Sequence, residues 1–200
     1  MDYDKALRAV LRVREGRGFV VASKLQRWER LVITAGHCLL PDLPPPHTGS
    51  CLKERTYKLL GPLDAKPTVW AECVFVDLIA DLAVLGAPDS QQLYDKNKQY
   101  EELTTAMTPL RIAKAGEDTS AFLLSLDLRW HACRVHNFGG PLWITGAKTV
   151  GGMSGSPIID KDGRAIGVVC TGSESENIKD YDGPHPQLMR SLPRWMTPLR

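Results

Sequence analysis

The chain has 200 residues, 43% hydrophobic and 24% charged, enough apolar material for one sizeable core or two small ones; disorder is excluded as the default. Its 25 basic and 23 acidic residues leave a net charge of +2, which gives no electrostatic case for nucleic acid or an anionic membrane as partner. The opening "MDYDKALRAVLRVREGRGFVV" lacks an apolar leader core, and no segment approaches the roughly 18 apolar residues of a membrane span. A cytoplasmic protein without a membrane partner is therefore expected. Cysteines 38, 51, 73, 133 and 170 are odd in number and show no C-x-x-C spacing. That pattern argues against a disulfide framework and a structural zinc site, and for a reducing compartment.

In chain order, residues 7–13 alternate Leu7, Ala9, Leu11 and Val13 with Arg8, Arg12 and Arg14, which predicts a half-buried strand. Further strands are expected at "GFVVAS" (18–23), "RLVITAG" (30–36), "TVWAECVFVD" (68–77) and "DLAVLG" (81–86). The polar stretch from Asp89 to Ala106 reads as a linker with one or two helical turns, dividing the chain into β-rich halves, 1–100 and 101–200. Beyond it come "PLRIAKAG", "AFLLSL", "RWHACRVHNF", "PLWITGA", "SPIID" and "AIGVVCTG". Turn clusters "EGRG", "PDLPPPHTGS", "KDGR" and "DYDGPHP" separate these runs, and the spacing predicts an all-β barrel or sandwich. The tail predicts a short helix before Pro193, with Leu188, Met189, Leu192 and Trp195 packed on a barrel. The proline run after residue 40 reads as a stiff surface loop.

Three residues carry the chemistry. "VITAGHCLL" runs a strand into His37, "DLIADLAVLGA" places Asp81 before an apolar run, and "GGMSGSPIID" sets Ser154 among glycines. A serine hydroxyl needs a base to take its proton; histidine, with an ordinary pKa of about 6.5, can accept it and return it to a leaving group. A carboxylate on the other ring nitrogen fixes the tautomer. Two N–H donors must then meet the oxyanion, and Gly152 and Gly155 on either side of Ser154 permit a turn tight enough to aim them. His131, Cys133 and His136 in "HACRVH" have spacings reminiscent of metal ligands, but on a strand His136 faces away from the other two, so no metal site and no cofactor are expected.

"ITAGHC", "DLAVL" and "GGMSGSP", in that order and separated by 44 and 73 residues, resemble the three signature blocks of the trypsin-like (chymotrypsin-fold) serine peptidases. The resemblance spans residues 7–196 or so. It implies two six-stranded antiparallel β-barrels with a short C-terminal helix, the first carrying His37 and Asp81 and the second Ser154 and the substrate pocket. It also implies Ser154 as nucleophile, His37 as general base and acid, Asp81 as orienting carboxylate, and the N–H groups of Gly152 and Ser154 as oxyanion hole. Asp77 is the rival carboxylate; Asp81 is preferred because "LAVL" follows it directly. An α/β-hydrolase is excluded because Ser156 stands where its motif needs glycine and because the order of the three residues differs.

Departures from the pattern matter. Met153 stands where digestive members carry an aspartate for a new N-terminal ammonium, so the resemblance implies the bacterial or intracellular branch, with the oxyanion loop ordered by other means. Ser156 replaces a family glycine, and Cys38 lacks an earlier cysteine to bridge to. Family position implies Lys148, Thr149 and Val150 on one side of the primary pocket and Cys170, Thr171 and Gly172 on the other, with acidic substrates favoured only if the Lys148 ammonium faces inward. The expected activity is serine endopeptidase acting on a polypeptide substrate, alone or within a larger assembly. The alternative is a catalytically silent trypsin-fold binding or regulatory module, with an esterase third.

Overall fold

The computed structural model describes residues 3–22, 30–40, 55–170 and 181–196. A short helix, α1 (Tyr3–Leu7), leads into β1 (Val10–Val13), β2 (Gly16–Ala22) and β3 (Arg30–Ala35), followed by β4 (Tyr57–Gly61), β5 (Val69–Asp77) and β6 (Leu82–Gly86). These six strands close into an antiparallel barrel in the order β1-β2-β3-β6-β5-β4, with Val13 pairing Leu60 to shut it. Helix α2 (Tyr94–Thr105) precedes β7 (Asp118–Leu124), β8 (Trp130–Asn137), β9 (Leu142–Thr145), β10 (Pro157–Asp160), β11 (Ala165–Val168), β12 (Asp182–His185) and α3 (Leu188–Ser191). The second sheet runs β11-β10-β7-β8-β9-β12 and curls until Gln187, just past β12, bridges back to Gly167 of β11. The two expected six-stranded antiparallel units and the short C-terminal helix are thus present.

Strand alternation explains why the sequence reads as short unbroken apolar runs. Along β2, Val20 points into the first barrel while Phe19 and Val21 point out; Val32 of β3 and Ala83 of β6 likewise point in, while Ile33 and Val84 point out. The outward set is not wet. It meets Leu124, Ile159, Ala165 and Val168 of the second sheet in one buried seam, while Ile158, Ile166 and Val169 turn into the second core. Strands buried on both faces lose the polar half of the period-2 pattern. Each fully buried Leu, Ile or Phe contributes roughly 1.5–3 kcal/mol, so the seam welds the two units.

Several expectations are corrected. Residues 7–13 are not all strand: the chain leaves α1 at Leu7 and Ala6, Ala9 and Val10 pack into the seam. The linker helix is 12 residues long, because Tyr100 lands on the first core and shares its one hydroxyl proton between the Arg30 and Leu85 carbonyls, 2.9 and 3.2 Å away. "PLRIAKAG" forms no strand; Leu110 bridges to Val21 and Ile112 to Ala165, so this segment stitches the two units together. Strand β4 was not expected, and β12 occupies "DYDGPHP", whose Gly and Pro read as turn signals. In the tail Leu188 and Leu192 are buried, Met189 is half-buried and Trp195 is exposed. No helix among the described residues is long and apolar enough to cross a membrane.

Candidate active site

Strand β3 ends at Ala35, paired with Leu82 at the start of β6, and this register brings residues 36–37 against Asp81. A 3₁₀ turn, Gly36–Leu39, follows β3. Asp81 Oδ2 lies 2.7 Å from His37 Nδ1, Asp81 Oδ1 accepts the His37 backbone N–H at 2.7 Å, and the Asp81 carbonyl accepts the Gly36 N–H at 3.0 Å. A Cβ on residue 36 would sit 3.0 Å from Asp81 Oδ1, so glycine permits the approach. Asp81 itself adopts φ of 53°, a left-handed conformation that aspartate tolerates better than most residues. With Nδ1–H donated to the carboxylate, Nε2 is the ring's basic atom. The hydrogen bond to Asp81 raises the His37 pKa, burial opposes it, and the Asp81 charge adds to the rise. Asp77 plays no such part; its Oδ1 accepts the Ile79 and Ala80 N–H groups and shapes the β5–β6 turn.

Ser154 lies in the turn before β10, across the seam. Its carbonyl accepts the Arg17 N–H at 2.8 Å, and Cys38 Sγ, on the residue after His37, comes within 3.9 Å of the same oxygen. Residues 37–38 and 154 are therefore neighbours. Among the described residues no hydrogen bond joins the Ser154 hydroxyl to the His37 ring, and free enzymes commonly hold this contact long. Gly155 has φ of 83°, and a Cβ there would fall 1.8 Å from the Arg17 carbonyl, so it lets the turn dock on β2 in addition to letting the chain reverse. Gly152 has φ of 90°, and among the described residues neither its N–H nor that of Ser154 meets an acceptor. Met153 is buried in the second core, so apolar packing anchors the loop where an aspartate was absent from the sequence.

Of the remaining predicted residues, Lys148 and Val150 line an open cleft of about 480 Å³ with Leu123, Leu126 and Met153. Lys148 Nζ is buried and has no hydrogen-bond partner among the described residues. Thr149 is buried, its N–H donating to Asp182 Oδ2 at 2.6 Å, and Cys170 is buried with Sγ 3.8 Å from His185 Nδ1. Thr171 and Gly172 lie outside the described residues. Burial pushes the His185 pKa down to about 4 despite Asp182 nearby. Cys38, Cys73, Cys133 and Cys170 are free thiols, and burial raises the Cys38 pKa, which keeps that thiol protonated beside His37. His131 is exposed, Cys133 buried and His136 half-buried, and among the described residues no group of three or more such side chains converges on a metal position. The sequence reading missed Arg17, Asp182 and His185; the signal for Arg17 was a long cation between two glycines at the head of a doubly buried strand.

The family profile of the trypsin-like peptidase domain matches residues 16–168, and the chain belongs to that family. The fold is that of chymotrypsin-like proteases. It is similar to the active form of the Rv3671c protease from M. tuberculosis, with 20% identity, coverage of 90% of this chain and 78% of that one, and a TM-score of 0.53. A serine protease of human pathogenic astrovirus is 19% identical, with 84% and 85% coverage and a TM-score of 0.51. The serine endoprotease from Yersinia pestis is 16% identical over 92% of this chain and 62% of that one, with a TM-score of 0.53. No curated protein sequence matches the chain.

Proposed function

We propose that the protein is a serine endopeptidase with Ser154 as nucleophile, His37 as general base and acid, and Asp81 as the carboxylate that orients His37. The observation that carries this reading is the two-point grip of Asp81 on His37, through both Nδ1 and the backbone N–H, beside the turn that holds Ser154. In the reaction Nε2 takes the hydroxyl proton as Oγ bonds to the substrate carbonyl carbon. The resulting oxyanion is held by the N–H groups of Gly152 and Ser154. His37 returns the proton to the amide nitrogen, the C–N bond breaks, and water repeats the sequence on the acyl-enzyme. The reading divides the chain into a half up to about residue 100 that supplies base and carboxylate and a half that supplies nucleophile and pocket. In that pocket the Lys148 ammonium, which has no hydrogen-bond partner among the described residues, favours acidic substrate side chains.

The second reading is a silent trypsin-fold binding or regulatory module, favoured by the missing hydrogen bond between Ser154 and His37. A fluorophosphonate probe separates the two. Labelling of the wild type that vanishes in Ser154→Ala and His37→Ala supports the peptidase; a wild type that never labels supports the module.

A further inference from the structure

Arg17 is buried, 6% exposed, in β2 of the first barrel, yet its side chain belongs to the second. One guanidinium nitrogen, Nη1, donates to the Leu124 carbonyl at 3.0 Å and the Ser125 carbonyl at 2.9 Å, and stands 3.5 Å from the Ser156 hydroxyl. Among the described residues no carboxylate pairs with it, and burial alone lowers its pKa. An unpaired buried cation is costly to keep, and apolar residues of similar size would fill the space without that cost. A stability argument therefore does not account for it.

Its partners do. Arg17 N–H holds the Ser154 carbonyl, the Arg17 carbonyl takes the Thr34 hydroxyl at 2.6 Å, three residues before His37, and the same carbonyl is the surface on which Gly155 docks. The carbonyls held by Nη1 open the β7–β8 turn, whose Leu126 Cδ2 would meet a Cβ on Gly152 at 3.3 Å. The main chain of residue 17 thus touches the carbonyl of Ser154, the glycine after it and the strand leading to His37, while its guanidinium reaches the turn packed against Gly152. We propose that Arg17 is the positioning residue of the serine loop: its guanidinium ties the β2 main chain, on which Ser154 and Gly155 rest, to the Leu126 turn across the seam, so that the Gly152 and Ser154 donors stay aimed. Its positive charge also favours the anion that forms there. The catalytic consequence rests on the proposed role of Ser154; the clamp itself does not.

The test uses the full chain. Arg17→Met is expected to slow fluorophosphonate labelling and lower kcat by about 10²-fold, the size of a lost oxyanion donor, while KM stays near the wild-type value. Arg17→Lys keeps three N–H donors on a cation and is expected to recover most of that rate. Hydrogen exchange of the Gly155 and Ser156 amides, which donate to the Val169 and Met153 carbonyls, is expected to quicken in Arg17→Met and return towards wild type in Arg17→Lys. Unchanged exchange in Arg17→Met overturns the clamp, whatever the activity. Should Arg17→Met fail to fold, Arg17→Gln takes its place, since its shorter neutral stem cannot reach both carbonyls; labelling equal to that of Arg17→Lys overturns the proposal. A wild type that never labels, together with quickened exchange in Arg17→Met, removes the catalytic reading of Ser154 and leaves the clamp standing.

Discussion

The two halves of the candidate site are built in different ways. His37 lies just after β3 and Asp81 just before β6, adjacent strands of a closed barrel, so the ladder that pairs Ala35 with Leu82 already aligns the imidazole and the carboxylate. Ser154 has no ladder of its own. It lies in a glycine-rich turn held by contacts made elsewhere: Met153 in the second core, Gly155 against β2, and Arg17 across the seam. The proposed base is preorganised by secondary structure and the proposed nucleophile by tertiary packing, so damage to the seam should silence the serine before it disturbs the histidine.

The strongest break is Ser154→Ala, expected to lower kcat by on the order of 10⁶, with His37→Ala similar, as for groups that act as a unit. Steady-state turnover of a peptide substrate reads this, and equal turnover in wild type and Ser154→Ala would rule the nucleophile out. Asp81→Asn comes next. It keeps the backbone contact but favours the wrong tautomer, for an expected loss of about 10⁴ in kcat. Gly155→Ala sharpens the contrast between halves, because its Cβ would overlap the Arg17 carbonyl at 1.8 Å in a left-handed conformation. It is expected to abolish labelling of Ser154 while the NMR signal of the His37–Asp81 hydrogen bond persists; loss of both together would contradict the separation.

The pH dependences are smaller and separate the halves again. The His37 pKa is raised above 6.5, so kcat/KM should climb with pH along an acid limb centred above that value. The stabilisation from its pairing with Asp81 runs the other way: it is whole below 6.5 and fades as pH rises through the raised pKa. His185, held neutral by burial with a pKa of about 4, behaves oppositely to His37. Its contribution is whole above 6.5 and lost as pH falls towards 4. Urea midpoints that are flat from pH 7 to pH 4 in the wild type, or that fall equally in a His185→Phe variant that folds, would refute this.

How much was legible depended on the range of the forces involved. His37, Asp81 and Ser154 stood out because each lies in a local string whose order alone carries information, and β2, β3, β5 and β6 were legible from short β-branched runs between turn residues. Strand β12 was hidden because Asp182–His185 contains the Gly and Pro that mark turns, and its strand character comes from pairing with β9. The length of α2 was hidden because few of its side chains are apolar, and Tyr100 is buried only by the barrel it happens to cover.

By itself the sequence determined the all-β class, the family and the ordered set of histidine, aspartate and serine, because periodicity and short motifs are local properties of the chain. Only the tertiary structure decided that Arg17 reaches from one barrel into the carbonyls of the other, that Met153 anchors the loop, and that the Cys38 thiol, rather than a bond between the His37 ring and the Ser154 hydroxyl, links the histidine segment to Ser154. The Arg17 and Cys38 contacts join residues more than a hundred positions apart, and no string of neighbours records which side chains a folded seam will press together.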